Sequence, residues 1–153
     1  MRDTTVSRVE LFYRAHTPDV ARVSQDLVID RLDELDHAGA VRMEKHLWPN
    51  RIVLEGDHDE STTLALDSYV AFTQWAREHR VELAPYFHIH ECHWFTGEDC
   101  TELVLPVMCL AAYDDRDHLV NVLPHTADGR HVSVVEFVAS LEANAGRTTP
   151  PAV

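Results

Sequence analysis

The chain has 153 residues, of which 26 are acidic and 13 basic, so its formal net charge is −13. Hydrophobic residues make up 45% of the sequence, which suffices for a packed core and argues against wholesale disorder. The longest apolar run, residues 103–113, contains Pro106 and is far shorter than the roughly 20 residues that cross a bilayer. We therefore expect no membrane span.

The start of the chain lacks the apolar core of a secretory signal peptide, which predicts a cytoplasmic protein. The length favours one domain, which we place at residues 1–145, with a disordered tail at residues 146–153. The odd number of cysteines favours reduced thiols over a disulfide framework. These cysteines are Cys92, Cys100 and Cys109.

The basic residues are almost all arginine, because Lys45 is the single lysine among them. A scarcity of lysine with acids spread along the chain is typical of a surface adapted to molar salt, where the Debye length is about 3 Å and carboxylates no longer repel each other over distance. We interpret the acidity as adaptation to a halophilic cytoplasm. Negative charge then does not exclude a nucleic-acid partner.

The first third of the chain predicts a strand, a helix and a hairpin. Alternating apolar residues predict a strand over residues 6–14. Thr17 is the predicted N-cap of a helix that has Pro18 at its first position and ends at Gly39. Two extended runs, 41–47 and 51–55, then flank Trp48-Pro49-Asn50, which is typical of a hairpin. The predicted buried stripe of the helix comprises Val20, Val23, Leu27, Val28, Leu32 and Leu35.

The middle of the chain predicts a second helix and three further strands. Ser61 is the predicted cap of a helix that ends near His79. One side of this helix carries Leu64, Ser68, Phe72 and Trp75. Strands are predicted at residues 81–95, at 103–113, where an apolar run indicates burial on both faces, and at 118–123.

A final helix is predicted after Ser133, which forms a capping box with Glu136. The order of elements indicates the α+β class, with a mainly antiparallel sheet and helices on one face. A ferredoxin-like sandwich is the favoured architecture.

The densest chemical segment is Phe87-His88-Ile89-His90-Glu91-Cys92-His93-Trp94. On a strand, His88, His90 and Cys92 point to one face, at about 7 Å between alternate Cα atoms. Imidazole and thiolate ligands at this spacing suit a transition metal ion such as zinc, iron or copper. The residues leave the fourth ligand open among His125, Cys100 and His46, and we take His125 as the candidate.

A second interpretation concerns nucleic acid. The helix before Val41 and the two extended runs after it resemble the back half of a winged helix-turn-helix, in which a helix enters the major groove and the wing touches the backbone. Arginine and lysine would then contact phosphates. The candidate contacts are Arg22, Gln25, Arg31, Arg42, Lys45 and Arg51.

Three further motifs carry a resemblance over residues 6–143. The sequences RVELFYR at residues 8–14, TGE at 96–98 and LVLPVMCL at 103–110 resemble small proteins of halophilic archaea that are described as helix-turn-helix domain proteins. The resemblance implies a role in transcription. The histidine cluster departs from the pattern of that family.

The sequence contains no complete set of catalytic residues, and its five glycines form no phosphate-binding motif. We therefore expect a non-enzymatic regulatory or ligand-binding protein that acts through DNA and responds to a transition metal. The alternative is a small metalloenzyme that uses His88, His90 and Cys92. An open strand edge would favour a homodimer.

Overall fold

The computed structural model describes residues 5–93 and 96–148, with side chains as far as residue 145. The predicted α+β class is confirmed. No helix in the described part of the chain is long and apolar enough to cross a membrane. The elements are β1 (Arg8–Arg14), α1 (Asp19–His37), β2 (Arg42–Trp48), β3 (Arg51–Val53), α2 (Glu60–His79), β4 (His88–His93), β5 (Asp99–Val104), β6 (Met108–Tyr113), β7 (Leu119–Leu123), β8 (His125–Ala127), β9 (Arg130–Val132) and α3 (Val134–Thr148).

The main sheet has the strand order β2-β1-β6-β7. Helix α1 connects the parallel neighbours β1 and β2, whereas β6 is antiparallel to both β1 and β7. The ferredoxin-like arrangement is not confirmed, because a split βαβ unit would place another strand between β1 and β2.

Helices cover both faces of this sheet, so the predicted placement on one face is wrong. Val9 and Leu11 of β1 point toward α1 and α3, while Phe12 points to the other side, where α2 packs. The second face is apolar because Cys109 and Ala111 of β6 also point there. An exposed face would have needed polar residues at these alternate positions.

The predicted hairpin around residues 48–50 is also wrong. Strand β2 pairs with β1, while β3 joins β5 and β4 in a second sheet of order β3-β5-β4. Trp48 at the end of β2 is buried against Phe12, with ring centroids 5.0 Å apart. This contact holds the end of β2 at the core, ahead of the turn that leads to β3. No wing is therefore formed from β2 and β3.

The predicted continuous strand at residues 103–113 is divided into β5 and β6 by residues 105–107, which we call the crossover segment. This segment carries the chain from the second sheet into the main sheet. Each of its three carbonyl groups accepts a side-chain hydrogen bond: Leu105 from Arg14, Pro106 from Trp48 at 3.1 Å, and Val107 from Gln25 at 3.0 Å.

Helix α1 is rotated relative to the predicted stripe. Val28, Leu32 and Leu35 are buried as predicted, but the fourth buried position is Gln25. Thr17 does not cap the helix; Pro18 occupies the N-cap, and the Thr17 hydroxyl donates to the Gln25 amide oxygen at 3.4 Å. The apolar residues left exposed are Val20, Val23 and Leu27.

Helix α2 begins one residue before the predicted cap. The carboxylate of Asp59 accepts from the Thr62 amide at 2.8 Å, so Asp59, and not Ser61, is the N-cap. Phe72 and Trp75 are buried as predicted, whereas Leu64 is exposed.

The other predicted boundaries hold in part. The strand predicted at residues 81–95 is continuous only over β4, and residues 94–95 lie outside the described part. The Ser133 hydroxyl caps α3 by accepting from the Glu136 amide at 3.1 Å, but the Glu136 carboxylate approaches Arg130 instead of completing the box. Helix α3 extends past residue 145 to Thr148, and residues 149–153 of the predicted tail are not described.

Candidate functional site

The histidine strand β4 forms one edge of the second sheet. His88 and His90 lie on the same face of it, with ring centroids 5.9 Å apart. This face is turned away from the core, because the intervening register position pairs Ile89 with Leu103, and Leu103 is fully buried in the core cluster. The predicted shared orientation of the two imidazoles is therefore confirmed.

The antiparallel register between β4 and β5 adds two partners to this face. His90 lies directly opposite Glu102, and Cys92 lies directly opposite Cys100. We call these four residues the β4–β5 square. A carboxylate oxygen of Glu102 is 3.8 Å from Nε2 of His90 and another is 3.6 Å from Arg51. The sequence marks Glu102 as a carboxylate near the histidines but does not predict its place beside His90, although the Thr96-Gly97 turn and strand alternation give the signal for it.

Two of the cysteines form a disulfide, so the expectation of reduced thiols is wrong for Cys92 and Cys100. Their Cα atoms are 4.9 Å apart, because directly opposed residues of an antiparallel pair come within bonding reach. An odd number of cysteines is also compatible with one disulfide and one free thiol, which is the arrangement found here. Cys109 is the free cysteine of the described residues, and burial raises the pKa of its thiol.

The structure does not bring His125 to the histidine strand. Its ring is buried beside Trp75 of α2, at 5.7 Å between centroids, and its Nδ1 donates to the carbonyl of Val122 at 2.6 Å. The predicted ligand set is therefore reduced to the two neighbouring imidazoles, with the sulfur of Cys92 engaged in the disulfide.

His46, another ligand left open by the sequence, joins a different group. The ligand atoms of Glu10, Glu44 and His46 lie within 4.8 Å of one another, and within the described ranges this is the one set of three that does so. Arg8 lies 2.6 Å from Glu10 and 3.8 Å from Glu44. Arg8 therefore joins both carboxylates in an ion-pair cluster, in which its single positive charge offsets part of their negative charge.

The six predicted DNA contacts fall into two groups. Arg22, Arg42, Lys45 and Arg51 are exposed. Of the others, Gln25 is buried, where its amide donates to two backbone carbonyls, and Arg31 is bound to Glu142 of α3. Arg51 is near Glu102, as described above.

Two of the exposed contacts, Arg42 and Lys45, lie on β2, the open edge strand of the main sheet. In the register with β1, Arg42 pairs with Arg8 and Lys45 pairs with Leu11, so the two side chains of β2 point to opposite faces. Over the described ranges no two helices follow each other across a short turn, since β2 and β3 lie between α1 and α2. The resemblance to a winged helix-turn-helix therefore does not extend to its arrangement of elements.

A concave surface of about 440 Å³ lies between α2 and the segment before β4. Its walls include the apolar side chains of Tyr69, Ala76 and Phe87, and its rim includes Arg77 and His88. Such a lining suits a small apolar ligand.

Comparison with known proteins supplies one finding. The family described as helix-turn-helix domain matches residues 1–146, which include almost all of the fold described above. No curated protein and no solved structure matches the chain. The family description points in general terms to DNA binding and to regulation. By this match, the chain belongs to the helix-turn-helix domain family.

Proposed function

We propose that this protein is a non-enzymatic regulator of transcription that binds DNA in the cytoplasm of a halophile. The family match over residues 1–146 is the observation that carries the proposal. The acidic composition does not oppose it, because charges on this surface act over only a few ångströms in molar salt. The alternative of a small metalloenzyme stays a prediction.

The open edge of β2 is the surface that we assign to DNA. Its Arg42 and Lys45 are exposed and form no ion pair with an acid of the described residues. Because they point to opposite faces of the strand, both reach phosphates when the edge lies along the duplex backbone. Helix α1 is less suitable, since its exposed surface carries Asp26, Asp30 and Glu34, which repel phosphate.

The test is fluorescence anisotropy with a pool of genomic fragments, measured over a range of salt up to molar concentration. We expect binding by the natural chain, and weaker binding by the double variant Arg42→Ala, Lys45→Ala. The slope of log affinity against log salt should decrease by about 1 for each lost phosphate contact. Arg116→Ala, which removes an exposed arginine from the turn between β6 and β7, is the matched control and should leave both values unchanged.

Absence of binding at every salt concentration would reject the proposed function. Equal loss of affinity in the double variant and in Arg116→Ala would reject the assignment to β2 while leaving DNA binding in place.

A further inference from the structure

We propose that the β4–β5 square is a redox-gated zinc site, in which Cys92, Cys100, His90 and Glu102 bind one divalent ion when the disulfide is reduced. This inference does not depend on the DNA-binding proposal. It replaces the ligand set expected from the sequence, because the structure removes His125 and brings in two residues of β5.

The register between β4 and β5 brings the four residues together in pairs. Two consecutive pairs on the same face, His90 with Glu102 and Cys92 with Cys100, are directly opposed. The Cα atoms of the cysteine pair are 4.9 Å apart, and the imidazole and carboxylate of the other pair are 3.8 Å apart. Alternate residues along each strand are about 7 Å apart at their Cα atoms, so the two pairs lie side by side on the sheet face. The sulfurs that reduction releases would have to rotate toward the imidazole and the carboxylate to share an ion with them.

The donor atoms of the four groups match the ligands of zinc. Two thiolates, one imidazole and one carboxylate are the ligand types that zinc takes in tetrahedral sites, at about 2.3 Å to sulfur and 2.0–2.2 Å to nitrogen and oxygen. His88, the next residue on this face, offers a second imidazole at 5.9 Å from the first. Calcium and magnesium prefer oxygen ligands, so this set discriminates against them.

Two of the four residues are largely buried. Cys100 is 5% exposed and the side chain of Glu102 is 12% exposed, so half of the square is shielded from water. Among the described residues, the cation that approaches the Glu102 carboxylate is Arg51, at 3.6 Å. A divalent ion at the square would supply the positive charge that a shielded carboxylate and two thiolates require.

The gating step is a thiol–disulfide exchange. A dithiol reductant donates two electrons and two protons to the bond between the two sulfurs, which breaks to give two thiols, and the reductant becomes a disulfide. Zinc then displaces the two thiol protons into solvent as it binds the thiolates. In the oxidised protein neither sulfur can act as a thiolate ligand, so zinc binding and the disulfide exclude each other.

The experiment compares the full-length chain in its oxidised and reduced states. A non-chelating phosphine reduces the disulfide, taking oxygen from water to become a phosphine oxide, and is removed before zinc chloride is added. After gel filtration, elemental analysis should find about one zinc per reduced chain and none per oxidised chain. Cobalt chloride in place of zinc should give a thiolate-to-cobalt absorption band with the reduced protein only.

Variants locate the site. Cys92→Ser and Cys100→Ser should abolish the cobalt band, and His90→Ala should weaken zinc binding by more than the 10–100-fold typical of losing an outer-shell partner. Cys109→Ala, which removes the buried cysteine of β6, and Glu91→Gln, on the opposite face of β4, are matched controls and should bind normally. Circular dichroism verifies that each variant is folded.

Three results would overturn the proposal. They are a reduced protein that binds neither zinc nor cobalt, equal binding by the two redox states, and binding that survives in both Cys92→Ser and Cys100→Ser.

Discussion

Tyr113 illustrates how a partly buried side chain responds to its neighbours. The guanidinium of Arg8 lies 4.0 Å above the centre of its ring. Burial, followed by the negative charge of Glu10, raises the pKa of Tyr113 to about 12 from its ordinary value of 10.0. The folded protein therefore holds the neutral phenol at pH values where an unfolded chain would lose the proton.

This shift predicts a loss of stability at alkaline pH. Because the pKa is raised in the folded state, the contribution of Tyr113 is complete below pH 10 and is lost as the pH rises from about 10 to about 12. Tyr113→Phe should remove that part of the pH dependence of the free energy of unfolding. Denaturant titrations at neutral pH and at pH values within this window measure it; an identical slope in both proteins would contradict the assignment.

Gln25 is a predicted DNA contact that the structure places in the core, where it supports the fold. Its amide nitrogen donates to the carbonyls of Arg14 at 3.3 Å and Val107 at 3.0 Å, and its side chain is buried. It thereby ties α1 to the end of β1 and to the crossover segment. The sequence does not predict these hydrogen bonds, because the accepting carbonyls lie outside the helix that carries Gln25.

Replacing this amide should destabilise the protein. Gln25→Met keeps the length of the side chain but removes the amide that donates to both carbonyls, and we expect the free energy of unfolding to fall by about 1–3 kcal/mol. The Val107 carbonyl would keep its hydrogen bond from the backbone amide of Arg14 at 3.0 Å. Gln74→Met, at an exposed position of α2, is the control and should change it by less than about 0.5 kcal/mol. Similar effects from the two variants would show that Gln25 does not hold these elements together.

At the scale of elements, helices α1 and α3 are joined by Arg31 and Glu142. Nε of Arg31 donates to one carboxylate oxygen at 3.1 Å, and Nη2 donates to the other. The hydrogen bond from Arg31 lowers the pKa of Glu142 below its ordinary value of 4.5. Their side chains remain 24% and 34% exposed, so water screens the pair.

A double-mutant cycle of Arg31→Ala and Glu142→Ala should give a coupling energy of about 0.5–1 kcal/mol at neutral pH. Since the folded-state pKa of Glu142 is lowered, this coupling is present above pH 4.5 and is lost as the pH falls further. Repeating the cycle at acidic pH measures the loss. A coupling that does not change with pH would mean that the interaction is not ionic.

The sequence predicts elements better than their pairing. Strand β1 and the helices were recognised from periodicity, which is local information. The pairing of β2 with β1 and the division at residues 105–107 depend on Trp48 and on carbonyl partners distant in the chain, so no local pattern encodes them. Likewise, alternation places His88 and His90 on one face, but only the register with β5 reveals Glu102 and the cysteine pair.

At the scale of the whole molecule, the net charge of −13 predicts a dependence on salt. Repulsion among the carboxylates destabilises the compact state, and salt screens it. We expect the free energy of unfolding to rise steadily as potassium chloride increases from submolar to molar concentration. Thermal unfolding over a salt series tests this, and constant stability over the series would contradict the interpretation as salt adaptation.

The homodimer expected from the sequence stays a prediction, and the structure suggests where to test it. Val20, Val23 and Leu27 are 82%, 69% and 51% exposed on one side of α1. A second copy related by a two-fold axis would cover the same stripe on each partner. Sedimentation in molar salt should show a dimer, and Leu27→Asp should shift it to monomer; a natural chain that sediments as a monomer would exclude it.

The crossover segment also has a mechanical consequence. Side chains of β1, α1 and β2 all donate hydrogen bonds to the three residues that join the sheets. We therefore expect a displacement of one sheet to displace the other. The amide protons of β5 and β6 should therefore exchange with deuterium through the same opening event, at comparable rates. Metal capture at the edge of the small sheet would then stiffen the large sheet that bears the proposed DNA-binding edge.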